Sequence, residues 1–249
     1  MKKKQTILLA GIAAVISIGV GTFLFFNQEK KAYDYTDFYE PKPNLTTSFQ
    51  STTPEPDLKD QVLSLSKLKE RNSDVVAIIE FDERMIYEPI VQAKDNEYYV
   101  RKNIDKRYAS AGIPFISGDG SLDSKNVLIY GHSSTRNNII FTPLMKYIQK
   151  EFYDAHPAFK CITAQGERIY QIFSVVNIDT NNISDSLEFT KPSWRNEESF
   201  NDFISKIKQN SLYQTNIDVN SDDEIMTLVT CDTRDSNKRV VVLAKRIIE

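Results

Sequence analysis

Three residues in this chain stand where their chemistry could be used. Cys231 closes the apolar run Ile225-Met226-Thr227-Leu228-Val229-Thr230. After seven intervening residues Arg239 opens a second run, Val240-Val241-Val242-Leu243-Ala244. If the two runs pair as antiparallel strands, thiol and guanidinium meet at one sheet edge, spanned by the loop Asp232–Lys238. A cation there favours the thiolate and can then hold an oxyanion. His132 follows a third apolar run, Asn126 to Tyr130, after a glycine that permits a sharp turn. An imidazole so placed can give a proton to a departing amine. Taken singly, each has an ordinary reading: a small buried cysteine, a turn histidine, a solvated arginine at a strand start. Spacing alone leaves the choice open.

The remaining reactive side chains narrow the chemistry. Cys161 lies in Phe159-Lys160-Cys161-Ile162-Thr163 and reads as a strand residue; two cysteines are too few for a disulfide framework. A single Cys161–Cys231 bridge is the alternative outside a cell, and it would consume the thiol. His156 precedes Pro157 and is assigned a structural role. Neither histidine has a second ligand at helical or hairpin spacing, so no metal site is expected. No glycine-rich phosphate loop is present, and no cofactor is expected. Beyond residue 26 the chain holds 28 Lys and Arg against 34 Asp and Glu, a net of −6. That balance argues against nucleic acid as a partner.

Elements must position these residues. Lys2, Lys3 and Lys4 precede the uncharged run Ile7 to Phe26. At about 1.5 Å per residue, a helix of that length spans the roughly 30 Å of a bilayer core. The lysines predict a cytoplasmic tail at residues 1–6, a retained single-pass anchor at 7–26 and everything beyond outside the cell. A cleaved signal peptide is the rival reading, but the run ends in Phe23-Leu24-Phe25-Phe26 rather than in small residues. Residues 27–56, punctuated by four prolines, read as a stalk whose tyrosines and phenylalanines could pack on the domain. The domain, residues 57–249, opens on a helix with Leu58, Val62, Leu65 and Leu68 on one face and Asp57 as N-cap.

Eight short β-branched or aromatic runs follow: 75–81, 85–87, 114–116, 127–130, 159–163, 168–178, 225–230 and 240–248. They predict a mainly β fold with a closed or nearly closed barrel. Two helices interrupt them, over 142–149 and 197–209. In the second, Phe200, Phe203, Ile204 and Ile207 form a core-facing stripe.

The words around the three residues carry more than their spacing. Tyr130-Gly131-His132, Phe141-Thr142-Pro143-Leu144-Met145-Lys146-Tyr147 and His156-Pro157 resemble the catalytic-histidine region of class B sortases. Thr227-Leu228-Val229-Thr230-Cys231 resembles their cysteine signature, and Lys238-Arg239-Val240-Val241-Val242 their arginine strand. Upstream, Asn72–Ala77, Tyr87–Gln92 and Asp95–Tyr99 are similar to the same family.

The resemblance implies an eight-stranded sortase barrel with an N-terminal helix and a long helix between strands six and seven. It implies a cysteine transpeptidase that cuts a Leu-Pro-x-Thr-Gly-like sorting signal on a surface protein or pilin. The thioacyl group then passes to an amine, a pilin lysine or a peptidoglycan precursor. Cys231 would be the nucleophile, His132 the acid and Arg239 the oxyanion partner. Thr230, the backbone N–H of Asp232, Asn96 and Val100 would serve the substrate. The loop between Cys231 and Arg239 is shorter than in typical wall-anchoring members, which makes Arg234 a second candidate cation. That loop and the unusual Ser133-Ser134-Thr135-Arg136 favour a pilin lysine as acceptor. A hydrolytic cysteine protease and a non-enzymatic membrane-anchored adhesin are the alternative readings.

Overall fold

The computed structural model describes residues 32–41, 61–181 and 187–247. Ten strands run in chain order: β1 (Tyr39–Pro41), β2 (Gln61–Leu63), β3 (Val75–Phe81), β4 (Tyr87–Gln92), β5 (Phe115–Ile116), β6 (Asn126–Tyr130), β7 (Ala158–Thr163), β8 (Gly166–Asp179), β9 (Ile225–Cys231) and β10 (Lys238–Ile247). The last eight close into a barrel in the order β10-β8-β7-β3-β4-β5-β6-β9, while β1 and β2 form a separate antiparallel pair. Most neighbours are antiparallel, but β4–β5 and β6–β9 are parallel. Closure gives each barrel strand a neighbour on both sides over at least part of its length.

Alternation along the strands sorts side chains to two sides. Ile79, Ile90, Ile116, Ile129, Cys161, Ile172, Leu228 and Val242 come from all eight barrel strands and form one cluster, the barrel interior. The intervening residues Leu128, Val176, Ile178, Val229, Val241 and Leu243 pack outward against Phe200, Phe203, Ile204 and Ile207. Those four belong to the long helix α3 (Glu197–Gln209), which covers that face. Asn196 starts it with a capping box shared with Ser199, and Glu197 and Glu198 occupy the first turn where the helix dipole favours them. The apolar stripe read from the sequence places α3 at the observed bounds. It lies between the sixth and seventh barrel strands, as the resemblance implied.

The N-terminal helix differs from expectation. Helix α1 is Leu65–Arg71, capped by Ser64, whose side chain accepts from the Lys67 N–H. Asp57 and Leu58 lie outside the described residues. Val62 belongs to β2, where it pairs with Glu40, and the neighbouring Leu63 N–H is taken by the Tyr87 hydroxyl at 2.8 Å. The apparent helical stripe therefore spans a strand, a cap and a helix. Part of the segment read as stalk packs on the domain: Phe38 is buried, and Tyr33, Tyr35 and Tyr39 pack beside Leu68, Val75 and Tyr87. The Tyr33 hydroxyl donates to Asp105 at 2.8 Å.

Two further boundaries move. The strand expected at 85–87 is β4, starting at Tyr87 and running on through Pro89. Pairing with β5 covers only Val91 and Gln92, so the edge at Pro89 needs no donor there. The helix expected at 142–149 is a 3-10 helix, Thr142–Ile148, with Pro143 in its first turn. Gln149 is extended, and a separate helix α2 (Lys150–Ala155) follows it. Both cysteines are free thiols: Cys161 faces the barrel interior and Cys231 is partly exposed at the end of β9. The disulfide alternative is thereby removed. Among the described residues no helix is long and apolar enough to cross a membrane; the run Ile7 to Phe26 lies outside them.

Ile207 is fully buried between α3 and the barrel. Its truncation to alanine is expected to cost about 2–5 kcal/mol, measured as a loss of unfolding free energy in urea.

Candidate active site

The site forms where three strands end. β9 lies between β6, parallel to it, and β10, antiparallel. The register sets Cys231 opposite Arg239 and Tyr130 beside Val229. The Asp232 N–H donates to the Lys238 carbonyl at 2.9 Å, so the adjoining Cys231/Arg239 pair falls in the non-hydrogen-bonded position of the ladder. Side chains approach most closely at such a pair. Cys231 and Arg239 share the outward side with Val229 and Val241, the side that α3 covers farther along the strands. Both runs are apolar on both sides because one side fills the barrel and the other lies under α3.

Arg239 is buried, and its Nη1 donates to the Ser236 and Lys238 carbonyls, each at 2.8 Å. These neutral acceptors orient the guanidinium without cancelling its charge, and its other N–H groups keep the planar fork that suits an oxyanion. Arg234 is held differently. It grips the Asp232 carboxylate through Nε at 3.0 Å and Nη2 at 2.7 Å, and its own N–H donates to the same group at 2.8 Å. Asn177 adds a bond to that carboxylate at 3.0 Å. The Arg234 hydrogen bonds, foremost, hold the Asp232 carboxyl down at about 2. Of the two candidate cations, Arg239 is the one across from Cys231.

His132 sits one residue past Gly131, whose N–H continues the ladder to the Val229 carbonyl at 3.1 Å. A Cβ on Gly131 would meet the Phe141 ring at 2.5 Å, so the turn carrying the histidine is built against that ring. The Thr230 hydroxyl donates to the Gly131 carbonyl at 2.8 Å, and the Ser133 hydroxyl donates to the Cys231 carbonyl at 2.6 Å. These crossed bonds lock the histidine turn to the cysteine strand. The ring Nε2 lies 2.9 Å from the Val100 carbonyl.

The substrate roles expected for four residues meet this geometry unequally. Val100 is brought to His132, through its carbonyl. The Asp232 N–H, expected to face an oxyanion, is instead spent on Lys238, because the ladder continues one pair beyond the cysteine. The Thr230 hydroxyl, expected to order substrate or Arg239, is directed to Gly131, since Thr230 shares the interior side with Val240 rather than the side of Cys231. Asn96 accepts the Gly118 N–H through Oδ1, tying the loop between β4 and β5 to the end of β5. The contact of Ser133 with the cysteine strand escapes the sequence, since no pattern along the chain marks it. Among the described residues no three His, Cys, Asp or Glu side chains gather as a metal site.

A family model for the sortase domain matches residues 90–247. The chain belongs to the sortase family. Within it, the similarity is to class B. Sortase B of Listeria monocytogenes is 29% identical over 249 residues, covering 99% of this chain and 96% of that one. Sortase B of Staphylococcus aureus is 26% identical over 194 residues, 76% of each chain. The X-ray structure of Clostridium perfringens sortase B superposes with a TM-score of 0.69 at 29% identity, covering 74% of this chain and all of that one. A Staphylococcus aureus sortase B–substrate complex gives 0.66 at 26% identity, covering 74% and 84%. This chain is therefore a class B sortase, a cysteine transpeptidase, which sets aside the protease and adhesin readings of the sequence.

The sortase loop after Cys231 is stabilised by the buried Asp232 carboxylate. Its depressed pKa means the stabilisation is complete above about pH 4 and lost as pH falls through about 2. With Arg234 half-exposed and screened, Asp232→Asn is expected to cost about 1–2 kcal/mol at pH 7. The difference from wild type should shrink as pH falls towards 2 and vanish below it in denaturation curves taken across that range.

Proposed function

We propose that Cys231 attacks the threonine carbonyl of a Leu-Pro-x-Thr-Gly-like sorting signal, with Arg239 and His132 as its partners. The observation that carries this reading is the cross-strand pairing of Cys231 with Arg239 on one side of the sheet, beside the turn that holds His132. The Cys231 thiolate adds to the carbonyl carbon, and the oxygen takes the negative charge. Arg239, oriented by two carbonyls, meets that oxygen with its remaining N–H groups. His132, as imidazolium, protonates the departing glycine amine as the C–N bond breaks, leaving a thioester on Cys231. An incoming amine adds to the thioester and gives a proton back to His132. Collapse then forms the new amide and frees the thiolate.

The acceptor we favour is a pilin lysine, from the short Cys231–Arg239 loop and the Ser133–Arg136 sequence. The other reading, a peptidoglycan cross-bridge amine, is supported by a solved sortase B complexed with triglycine. We further propose that Ile7–Phe26 anchors the chain in the cell membrane, with residues 1–6 cytoplasmic and the catalytic domain outside, facing its surface-protein substrate. The lysines beside the apolar run support that orientation.

Incubation of the detergent-solubilised chain with a panel of sorting-signal peptides should add the mass of the N-terminal fragment. Cys231→Ala should add none. Arg239→Ala should slow adduct formation about 10²–10³-fold, the usual loss for one oxyanion donor. Supplying pilin or oligoglycine then separates the acceptors: an isopeptide-linked ladder supports the lysine, and an oligoglycine product alone supports the cross-bridge. A chain that hydrolyses the peptide and accepts neither amine would overturn the transfer step.

A further inference from the structure

We propose that the loop joining β4 to β5 is a positioning device for His132: the Val100 carbonyl fixes its ring, and Gly112 and Tyr99 fix that carbonyl. The inference rests on the reading of His132 as the proton donor and adds which nitrogen carries the moving proton.

A carbonyl oxygen has no proton to give, so a 2.9 Å contact with it makes His132 Nε2 the donor, whether the ring is neutral or charged. With Nε2–H committed, Nδ1 is the nitrogen whose proton changes during the reaction. Backbone bonds place the turn that carries His132, including one from the Phe141 N–H to its carbonyl at 3.0 Å. They do not by themselves set the ring about its side-chain bonds, and the contact to Val100 is one that does.

The carbonyl itself is held from two sides. Gly112 has φ +64°, and a Cβ built on it would stand 2.5 Å from the Val100 oxygen and 3.0 Å from the Tyr99 oxygen. Both obstacles are backbone, so neither can rotate aside. Any larger residue at 112 must push this stretch of backbone, in addition to the strain of a left-handed conformation. On the other side Tyr99 is 1% exposed. Its hydroxyl donates to Asp74 at 2.6 Å and accepts from Asn72 at 2.8 Å. Asn72 also donates to the Ile104 carbonyl at 2.9 Å, and Lys106 reaches Asp74 at 2.8 Å. Asn72 and Asp74 occupy the short link between α1 and β3, so four contacts from residues 99–106 anchor the loop to that link. Tyr99, Gly112 and the Val100 carbonyl act here through His132, as positioning groups.

The test uses the full chain with ring-labelled histidine. Only two histidines are present, so the imidazole nitrogens give two sets of resonances. Wild type should show His132 as the Nε2–H tautomer when neutral. Gly112→Ala should drive it towards a tautomer mixture while His156 is unmoved. The same variant should lower kcat about 10–100-fold, as a displacement of about 1 Å can, with KM within about threefold. Gly166→Ala is the control, because Gly166 has φ +121° with nothing within 4 Å of an added Cβ. It imposes at least as much backbone strain, since φ +121° lies outside the left-handed region open to alanine, and should leave both readouts unchanged. Tyr99→Phe, which deletes only the hydroxyl, should move both in the same direction by a smaller factor and serves if Gly112→Ala does not fold. An Nδ1–H tautomer in wild type would overturn the proposal. So would unchanged His132 resonances in both folded variants. Thioacyl formation by His132→Ala would instead sink the assigned catalytic role while leaving the tautomer result intact.

Discussion

Where β9 runs between β6 and β10, backbone pairing decides which side chains can meet. A strand alternates its side chains, so a slip of one residue in the β9–β10 ladder would turn Cys231 or Arg239 towards the barrel interior. What prevents the slip is the packing on both sides. Leu228 and Val242 are held inside the barrel, and Val229 and Val241 are held outside under α3. The register is thus enforced by hydrophobic burial over the whole length of the strands, although its consequence appears only at their ends. The closed barrel strengthens the constraint, because β9 and β10 are each paired on both sides and a shift would break two ladders.

Two arginines lie within reach of the loop after Cys231, and the protein treats them differently. Arg234 meets a buried carboxylate and becomes part of the loop's scaffold. Among the described residues Arg239 donates to two carbonyl oxygens, which direct its fork while leaving its charge available. The same division applies to hydroxyls: Thr230 and Ser133, on β9 and on the histidine turn, spend their protons tying those two elements together. Several polar groups near the thiol are therefore spent on the frame, while the Arg239 fork keeps N–H groups beyond its two carbonyl bonds. The burial of Cys161, whose thiol is pushed up to about 12 by desolvation, leaves Cys231 as the accessible sulfur of the two.

Much of this is legible along the chain, and the reason is local redundancy. Helix α3 is legible from its apolar stripe, and the cap and acidic first turn found in the structure agree with it. The β-branched runs that form β3, β6, β8, β9 and β10 are recognisable because strands with both sides covered are apolar throughout. Where signals conflict, reading fails. Val62, Leu65 and Leu68 keep helical spacing across a strand and a cap, and Pro89 hides the greater part of β4. The helix expected at 142–149 is a 3-10 turn that ends at extended Gln149, and a second helix that no pattern announces follows it.

For the site, residue type and order along the chain single out Cys231, His132 and Arg239, since thiol, imidazole and guanidinium each end or begin an apolar run and the surrounding words resemble one family. Those facts are one-dimensional and survive without a fold. The grip of Arg234 on the Asp232 carboxylate, the engagement of the Asp232 N–H and the Thr230 hydroxyl, and the contact between Val100 and His132 were decided only by tertiary structure. Each depends on which partner a donor or acceptor finds once the ladder and its loops are in place, whether a few residues away or dozens. Composition and spacing set what a group can do; the closed ladder sets what is left for it to do.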